Sequence, residues 1–443
     1  MKKNALIRGT LLLTAAGLCS RFIGFFYRIF LSRMFGEEGM GIYELINPVL
    51  ALSFALSTSG IQSAISKFVA SEPENAVRRR FRILLCGLCM SGLLSAFCTV
   101  FVYQKADLLA LSFLKEPRCA PLLRIAALSF PAACIHSCIN GYYYGIKKTA
   151  LPAFCQLFEQ CFRVGSVFLF WEYSQKSGVA FSINVAAVGL VIGEFASLFA
   201  ALAASWLHFL KQKYLSVPAP CSAAAIALKL LKFAVPLSAT RVCLHLLGAV
   251  ESARIPVSLQ LAGYSPAQAL SIYGVFTGMA MTCILFPGAL TNSVSVLLMP
   301  LIAQADAASD RPAIRKAVTK CVRFCLLMGT FFLLFFFLFG NTLGLLLFRS
   351  ELAGQFLRRL CFLCPFLYLN TTLLSILNGL GKTGQTFLFN MLSLLLRMAF
   401  VFFLIPVQGI SGYFLGMFAG QLFLTAACLS SLSPYLKNAR RRS

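Results

Sequence analysis

The chain has 443 residues, of which 59% are hydrophobic and 12% charged, more apolar side chain than a soluble core of this length needs, so a soluble globular enzyme is excluded. Thirty-nine Lys and Arg against 14 Asp and Glu leave a formal charge of +25. These basic residues are scattered between apolar runs, which suits membrane orientation and anionic lipid and argues against nucleic acid as a partner.

Twelve apolar runs follow one another, at 10–32, 42–66, 83–103, 121–144, 150–171, 184–208, 233–249, 271–301, 322–342, 355–379, 384–405 and 409–431. A membrane span needs about 20 apolar residues, and lipid satisfies no backbone groups, so the runs predict helices; barrel strands of about 10 alternating residues do not fit. The expected fold is an all-α polytopic membrane protein of about 12 transmembrane helices. The first run, behind Lys2 and Lys3, imitates a secretory signal, but it continues past Arg21 without a small-residue cleavage site and is expected to be retained. Most of the 17 cysteines lie in apolar runs, where thiols pack as small hydrophobes. Two CxxC spacings, Cys86/Cys89 and Cys361/Cys364, fall near opposite faces of the membrane and are read as core packing, not as a zinc site. No lipidation motif is visible at either end.

With the N-terminus inside, the loops divide 23 basic residues to the cytoplasm and 7 to the outside, which predicts a plasma-membrane protein with both termini cytoplasmic. The outer seven are Arg33, Lys105, Lys115, Arg118, Lys176, Arg254 and Arg349. Nine more lie within or at the edge of spans, among them Arg21, Arg28, Lys67, Arg163, Arg241 and Arg397.

An internal repeat is visible. Asn140-Gly141 through Lys147-Lys148-Thr149 resembles Asn378-Gly379-Leu380-Gly381-Lys382-Thr383, and both Thr149/Thr383 and Arg163/Arg397 are separated by 234 residues, as are Gln156/Asn390. The matching segments are six apart with the same expected orientation, which predicts two parallel six-helix lobes, 1–208 and 233–443, the second with a short basic C-terminal tail. The linker at 209–232 holds Lys211, Lys213, Pro218 and Pro220.

A buried arginine costs about 2.5–3.5 kcal/mol on insertion scales, so each needs a reason. Gly17, Arg21, Gly24 and Arg28 share one helical stripe, as suits a helix lining an anion-attracting cavity; alternatively Arg28 reaches the outer interface and Arg21 pairs with Glu44, Glu159 or Glu194. Gln156, Glu159, Gln160 and Arg163 share a face, where Glu159 can neutralise Arg163 at i, i+4. Asn390, Ser393 and Arg397 repeat that stripe without an acid, which leaves Arg397 the more exposed to an anion. Arg241 and His245 share a face toward a cleft or a neighbouring carbonyl. Only Glu44, Glu159 and Glu194 are acids inside expected spans, so a cavity lined by Arg21, Arg28, Arg163, Arg241 and Arg397, with Gln156, Glu159, Asn390 and Ser393 as its polar lining, should prefer phosphate or pyrophosphate. No catalytic, cofactor or metal motif is present. Gly24, Pro287 and Gly288 are candidate hinges, and the prolines among them can equally be static kinks. The basic stretch 310–323 reads as an amphipathic anchor on the inner leaflet.

The run Ser20-Arg21-Phe22-Ile23-Gly24-Phe25-Phe26-Tyr27-Arg28, then Gly36, Glu38-Gly39, Gly41 and Tyr43, resembles the opening of the stage V sporulation protein B group. That group belongs to the polysaccharide flippases of the multidrug/oligosaccharidyl-lipid/polysaccharide (MOP) exporter superfamily, which are related to lipid II flippases. The resemblance continues through Ser59-Gly60-Ile61, Glu159-Gln160, Ile255-Pro256, Tyr273-Gly274 and 377–382. It implies two six-helix lobes that alternate access to move a lipid-linked saccharide, with Arg21 and Arg28 holding the pyrophosphate of an undecaprenyl carrier. Related lipid II flippases have an arginine on their second span, where this chain has none, and many relatives have fourteen spans.

The expected function is therefore a flippase for an undecaprenyl-pyrophosphate-linked glycan, a peptidoglycan precursor or another envelope or spore-wall unit. A drug or cation antiporter and a non-transporting scaffold are the alternatives. The expected partners are the lipid-linked glycan, membrane lipids and, as candidates, envelope-synthesis enzymes.

Overall fold

The structure is a computed structural model that describes the backbone of residues 2–73, 76–211 and 222–436. Lys213, Pro218 and Pro220 of the expected linker and the basic residues of the C-terminal tail lie outside the described residues, as do the side chains of Lys2, Lys3, Arg8 and Lys211. The described residues are helical almost throughout, as the long apolar runs require.

Ten helices are long and apolar enough to cross a membrane, and eleven when the bent pair Cys119–Ala127 and Ser129–Gly145 is taken as one span. The difference from the expected twelve arises at three places. The first two expected spans form one continuous element, Leu12–Ser71. It is kinked at Gly36, whose φ of 68° lies in the left-handed region that glycine adopts without strain. The expected eighth span is broken, into Pro266–Leu285 and Gly288–Ala307. The expected fifth is a helix, Ala150–Ser177, but Gln156, Glu159, Gln160 and Arg163 lower its mean hydropathy below that of the other spans.

The break before Gly288 follows from Pro287, which has no N–H to continue the helical ladder. Tyr368 braces it: its hydroxyl donates to the Ile284 carbonyl at 2.7 Å, and its ring would meet a Cβ added at Gly288 at 3.3 Å. Tyr368→Phe removes the donor and leaves a buried carbonyl unpaired, so it is expected to cost about 1–3 kcal/mol, read as a lower thermal-unfolding midpoint of the detergent-solubilised protein.

The chain divides into two compact units. The first comprises Met1–Tyr27 and Ile42–Ala249, the second Arg28–Gly41 and Val250–Ser443. The division therefore runs within the helices Lys2–Phe54 and Ala223–Leu261, away from 209–232.

Within each unit the same succession of elements recurs. A long helix ends in a π-turn, Leu109–Leu114 in the first and Gly344–Phe348 in the second, closed by a left-handed residue, Lys115 (φ 57°) and Arg349 (φ 56°), 234 residues apart. Lys147 (φ 61°) and Gly381 (φ 73°) stand at the same offset in the turns before Ala150–Ser177 and Thr383–Phe403. The cores match as well. Ile139, Tyr142 and Tyr143 pack with Ile61, Ile65 and Leu84 in the first unit, and Leu373, Ile376 and Leu377 pack with Leu298, Ile302 and Ile314 in the second. A left-handed lysine costs about 1–2 kcal/mol that glycine at the equivalent position avoids.

The cysteines described are all free. Cys361 and Cys364 are buried, as expected of core packing, but Cys86 is only half-buried and Cys89 is exposed on its helix.

Candidate functional site

The first unit holds a buried charge network. Glu159 and Arg163 lie one turn apart on Ala150–Ser177, and Arg163 Nη2 is 2.6 Å from Glu159 Oε1. Glu194, on Asn184–Lys211, places Oε1 3.6 Å from the same Nη2 and Oε2 2.7 Å from His136 Nε2, which projects from Ser129–Gly145. The two helices approach closely at Gly193, where an added Cβ would lie 2.8 Å from the Glu159 carbonyl and 3.0 Å from Arg163 Cβ. Only glycine lets the backbones bring both carboxylates to one guanidinium.

Two carboxylates against one guanidinium leave the network one negative charge in excess when His136 is neutral. The ligand atoms of His136, Glu159 and Glu194 lie within 4.8 Å of one another, as a metal site would require. Arg163, however, already lies between the carboxylates as their cation. What the arrangement can accept is one further proton or a monovalent cation, and His136 Nδ1, buried with no partner among the described residues, offers a place for the proton. The expected pairing of Glu159 with Arg163 is thus present and extended, and Arg163 is occupied by acid partners instead of being presented to an anion.

Beside this network the first unit has a cavity of about 480 Å³, lined by Thr58, Gln62, His136, Glu194, Arg241 and His245 among others. Arg241 Nη1 donates to the Ser59 carbonyl at 3.0 Å. Ser59 ends the π-turn Ala55–Ser59, whose altered ladder frees carbonyls for such a donor. Arg241 therefore both lines a cavity and holds a carbonyl. Gln156 is exposed on its helix.

Arg21 differs from the other intramembrane arginines. It is exposed, and among the described residues it makes no hydrogen bond or ion pair, so the expected alternative of a pair with Glu44, Glu159 or Glu194 is absent. A Cβ at Gly17 or at Gly24 would meet nothing within 4 Å, so the stripe around Arg21 is open. Lys67, the nearest basic substitute on the second run, places its ammonium 4.0 Å from the Phe233 ring centroid.

In the second unit Arg28 Nη1 donates to Thr282 Oγ1 at 3.0 Å. Arg397 corrects the sequence reading. Its Nη2 is 2.6 Å from Glu251 Oε2, and Tyr413 OH donates to Glu251 Oε1 at 3.0 Å. Glu251 was not counted among the intramembrane acids because the apolar run was ended at 249, whereas the helix continues from Ala223 to Leu261. Two of the expected polar lining residues are also committed elsewhere. Ser393 is buried and donates to the Gly420 carbonyl at 3.0 Å, and Asn390 Nδ2 donates to the Thr386 carbonyl one turn back at 2.7 Å. Arg33, counted as an outer-loop residue, lies in Lys2–Phe54 and donates to the carbonyls of Leu346 and Leu347 at the π-turn.

Helices of membrane-spanning length, two units with a repeated order of elements and intramembrane arginines define a multi-pass membrane transporter, not an enzyme. The fold agrees: a solved structure titled as the lipid II flippase MurJ in an inward closed conformation superposes with a TM-score of 0.71 at 15% identity, over 96% of this chain and 87% of that one. An inward-facing multidrug resistance MATE family transporter of the MOP superfamily superposes with a TM-score of 0.70 at 14% identity, over 98% of this chain and all of that one. A family model described as polysaccharide biosynthesis protein matches residues 6–306, and the chain belongs to that family. A MatE model matches residues 249–403. Stage V sporulation protein B of Bacillus subtilis (strain 168) is 27% identical over 442 residues, 98% of this chain and 85% of that protein.

Proposed function

We propose that the protein moves an undecaprenyl-pyrophosphate-linked oligosaccharide across the plasma membrane by alternating access, with Arg21 as the main contact to the pyrophosphate. The observation that carries this reading is the contrast among the arginines: Arg163 and Arg397 are neutralised by acids, while Arg21 is exposed and unpaired on an open stripe. An uncompensated guanidinium at membrane depth is costly and needs an anionic partner, and its fork matches phosphate oxygens. Arg28 and Arg241, each with one protein hydrogen bond, supply further positive charge. Family membership and the similarity to stage V sporulation protein B and the lipid II flippase support a lipid-linked glycan as the cargo, from peptidoglycan or another envelope or spore-wall polymer. The 23 to 7 division of basic residues supports cytoplasmic termini, and the repeat supports two six-helix lobes joined at 209–232.

The His136, Glu159 and Glu194 network favours a second reading, a cation-coupled antiporter, because its excess negative charge can load and release a proton. Reconstituted vesicles separate the two. Fluorescent undecaprenyl-pyrophosphate saccharide should cross from the inner to the outer leaflet, read as label newly accessible to an impermeant quencher, in vesicles with the protein and not in protein-free ones. Failure with a panel of saccharide headgroups, together with proton-driven accumulation of a cationic dye, would sink the flippase in favour of the antiporter.

A further inference from the structure

Away from the arginine stripe, the first unit has a second polar cavity, of about 450 Å³, at the end where its chain turns between helices. It is lined by Glu72, Arg80, Lys147, Lys148 and His208, with Tyr142 and Gly145 among the residues behind them. None of these lines the cavity beside the charge network. Three permanent cations face one carboxylate, and Glu72 is shared with Arg79, whose Nη1 is 3.8 Å from Glu72 Oε2.

Two further observations show that the cavity is built for a ligand. Arg80 Nη2 is fixed on the Glu72 carbonyl at 2.7 Å, but Arg80 Nε and His208 Nε2 are buried with no partner among the described residues. The repeat supplies the second. Lys382, at the position equivalent to Lys148, is held within its own unit: its Nζ donates to the Ser431 carbonyl at 3.1 Å and lies 5.0 Å from the Tyr435 ring centroid. Lys148 has no such partner among the described residues, and beside it the chain keeps a lysine at φ 61° where the other unit has Gly381. A strained backbone carrying a charged side chain, next to an unoccupied lysine, is the arrangement of a ligand clamp and not of a plain turn.

We infer that this cavity binds a phosphate group of net negative charge, through Arg80, Lys147, Lys148 and His208, on the face that the basic-residue count assigns to the cytoplasm. The source is either the headgroup of an anionic phospholipid or free phosphate. The site is distinct from the transported pyrophosphate, since it shares no residue with the Arg21 stripe.

The test uses the full chain in detergent. Native mass spectrometry reads binding of phosphatidylglycerol against phosphatidylcholine, and equilibrium dialysis reads binding of radiolabelled inorganic phosphate. The variants are Lys147→Gly, Lys148→Ala and, as a remote control, Lys105→Ala. Glycine is the residue that the left-handed backbone prefers, so Lys147→Gly should hold or raise the thermal midpoint while weakening binding at least tenfold. Lys148→Ala should weaken it similarly, and Lys105→Ala should not. Phosphatidylglycerol binding without phosphate binding assigns the lipid source; phosphate binding assigns the free anion. Absence of both, or equal binding by wild type and Lys147→Gly, would overturn the site.

Discussion

Alanine in place of Arg397 is expected to destabilise the protein by about 3–5 kcal/mol, because it leaves the Glu251 carboxylate buried without its cation. Glu251 is 5% exposed at its side chain, and besides Arg397 the structure gives it the Tyr413 hydroxyl, a neutral donor that does not replace a charge. Glu251→Ala should be similarly harmful, for it strands the guanidinium. The double variant Arg397→Met/Glu251→Leu should recover most of the loss, since removing both charges also removes their desolvation penalty. Thermal unfolding midpoints of the four proteins in detergent close the cycle. If the single variants unfold like wild type while transport falls, Arg397 contacts the cargo and the ion pair is incidental.

Arg21→Ala should behave in the opposite way. Flipping of the pyrophosphate-linked saccharide should fall about 100-fold or more, toward the protein-free background, which corresponds to roughly 3 kcal/mol, the worth of one or two charge-assisted hydrogen bonds. Stability should stay level or rise, because the substitution removes a charge that has no protein partner among the described residues and that membrane insertion penalises. Arg21→Lys should restore part of the rate, retaining the charge but not the two-pronged geometry. A stable Arg21→Ala protein that still flips at the wild-type rate would remove Arg21 from the mechanism.

The separation of these two arginines shows where the sequence was legible. Spans, the repeat at 234 residues and the interruption at Pro287 are periodic or compositional features, carried by neighbours along the chain, and they were readable. The Glu159/Arg163 pair was readable too, because four residues on a helix fix a contact. Partners from other helices were not: nothing near Arg397 in sequence points to Glu251 or Tyr413, 146 residues before it in one case and on the next helix in the other. Ser393 sits on the same stripe as Arg397, yet that stripe faces the Ile410–Leu436 helix, so polarity alone suggested a cavity where there is packing. His136 gave no signal, since a lone histidine in an apolar helix becomes informative only once Glu194 is beside it.

The paired π-turns also record a history. A π-turn is in effect one residue inserted into an α-helix, and here the insertion and its left-handed closing residue stand at matching positions of both units, before Lys115 and before Arg349. Two independent insertions would have had to choose the same turn of the same helix, so the insertion is older than the gene duplication that doubled the chain. The ancestral half already carried it, and the differences between the two copies, lysine against glycine at 147 and 381 and a three-helix charge network against a single ion pair, are later specialisations of what began as identical parts.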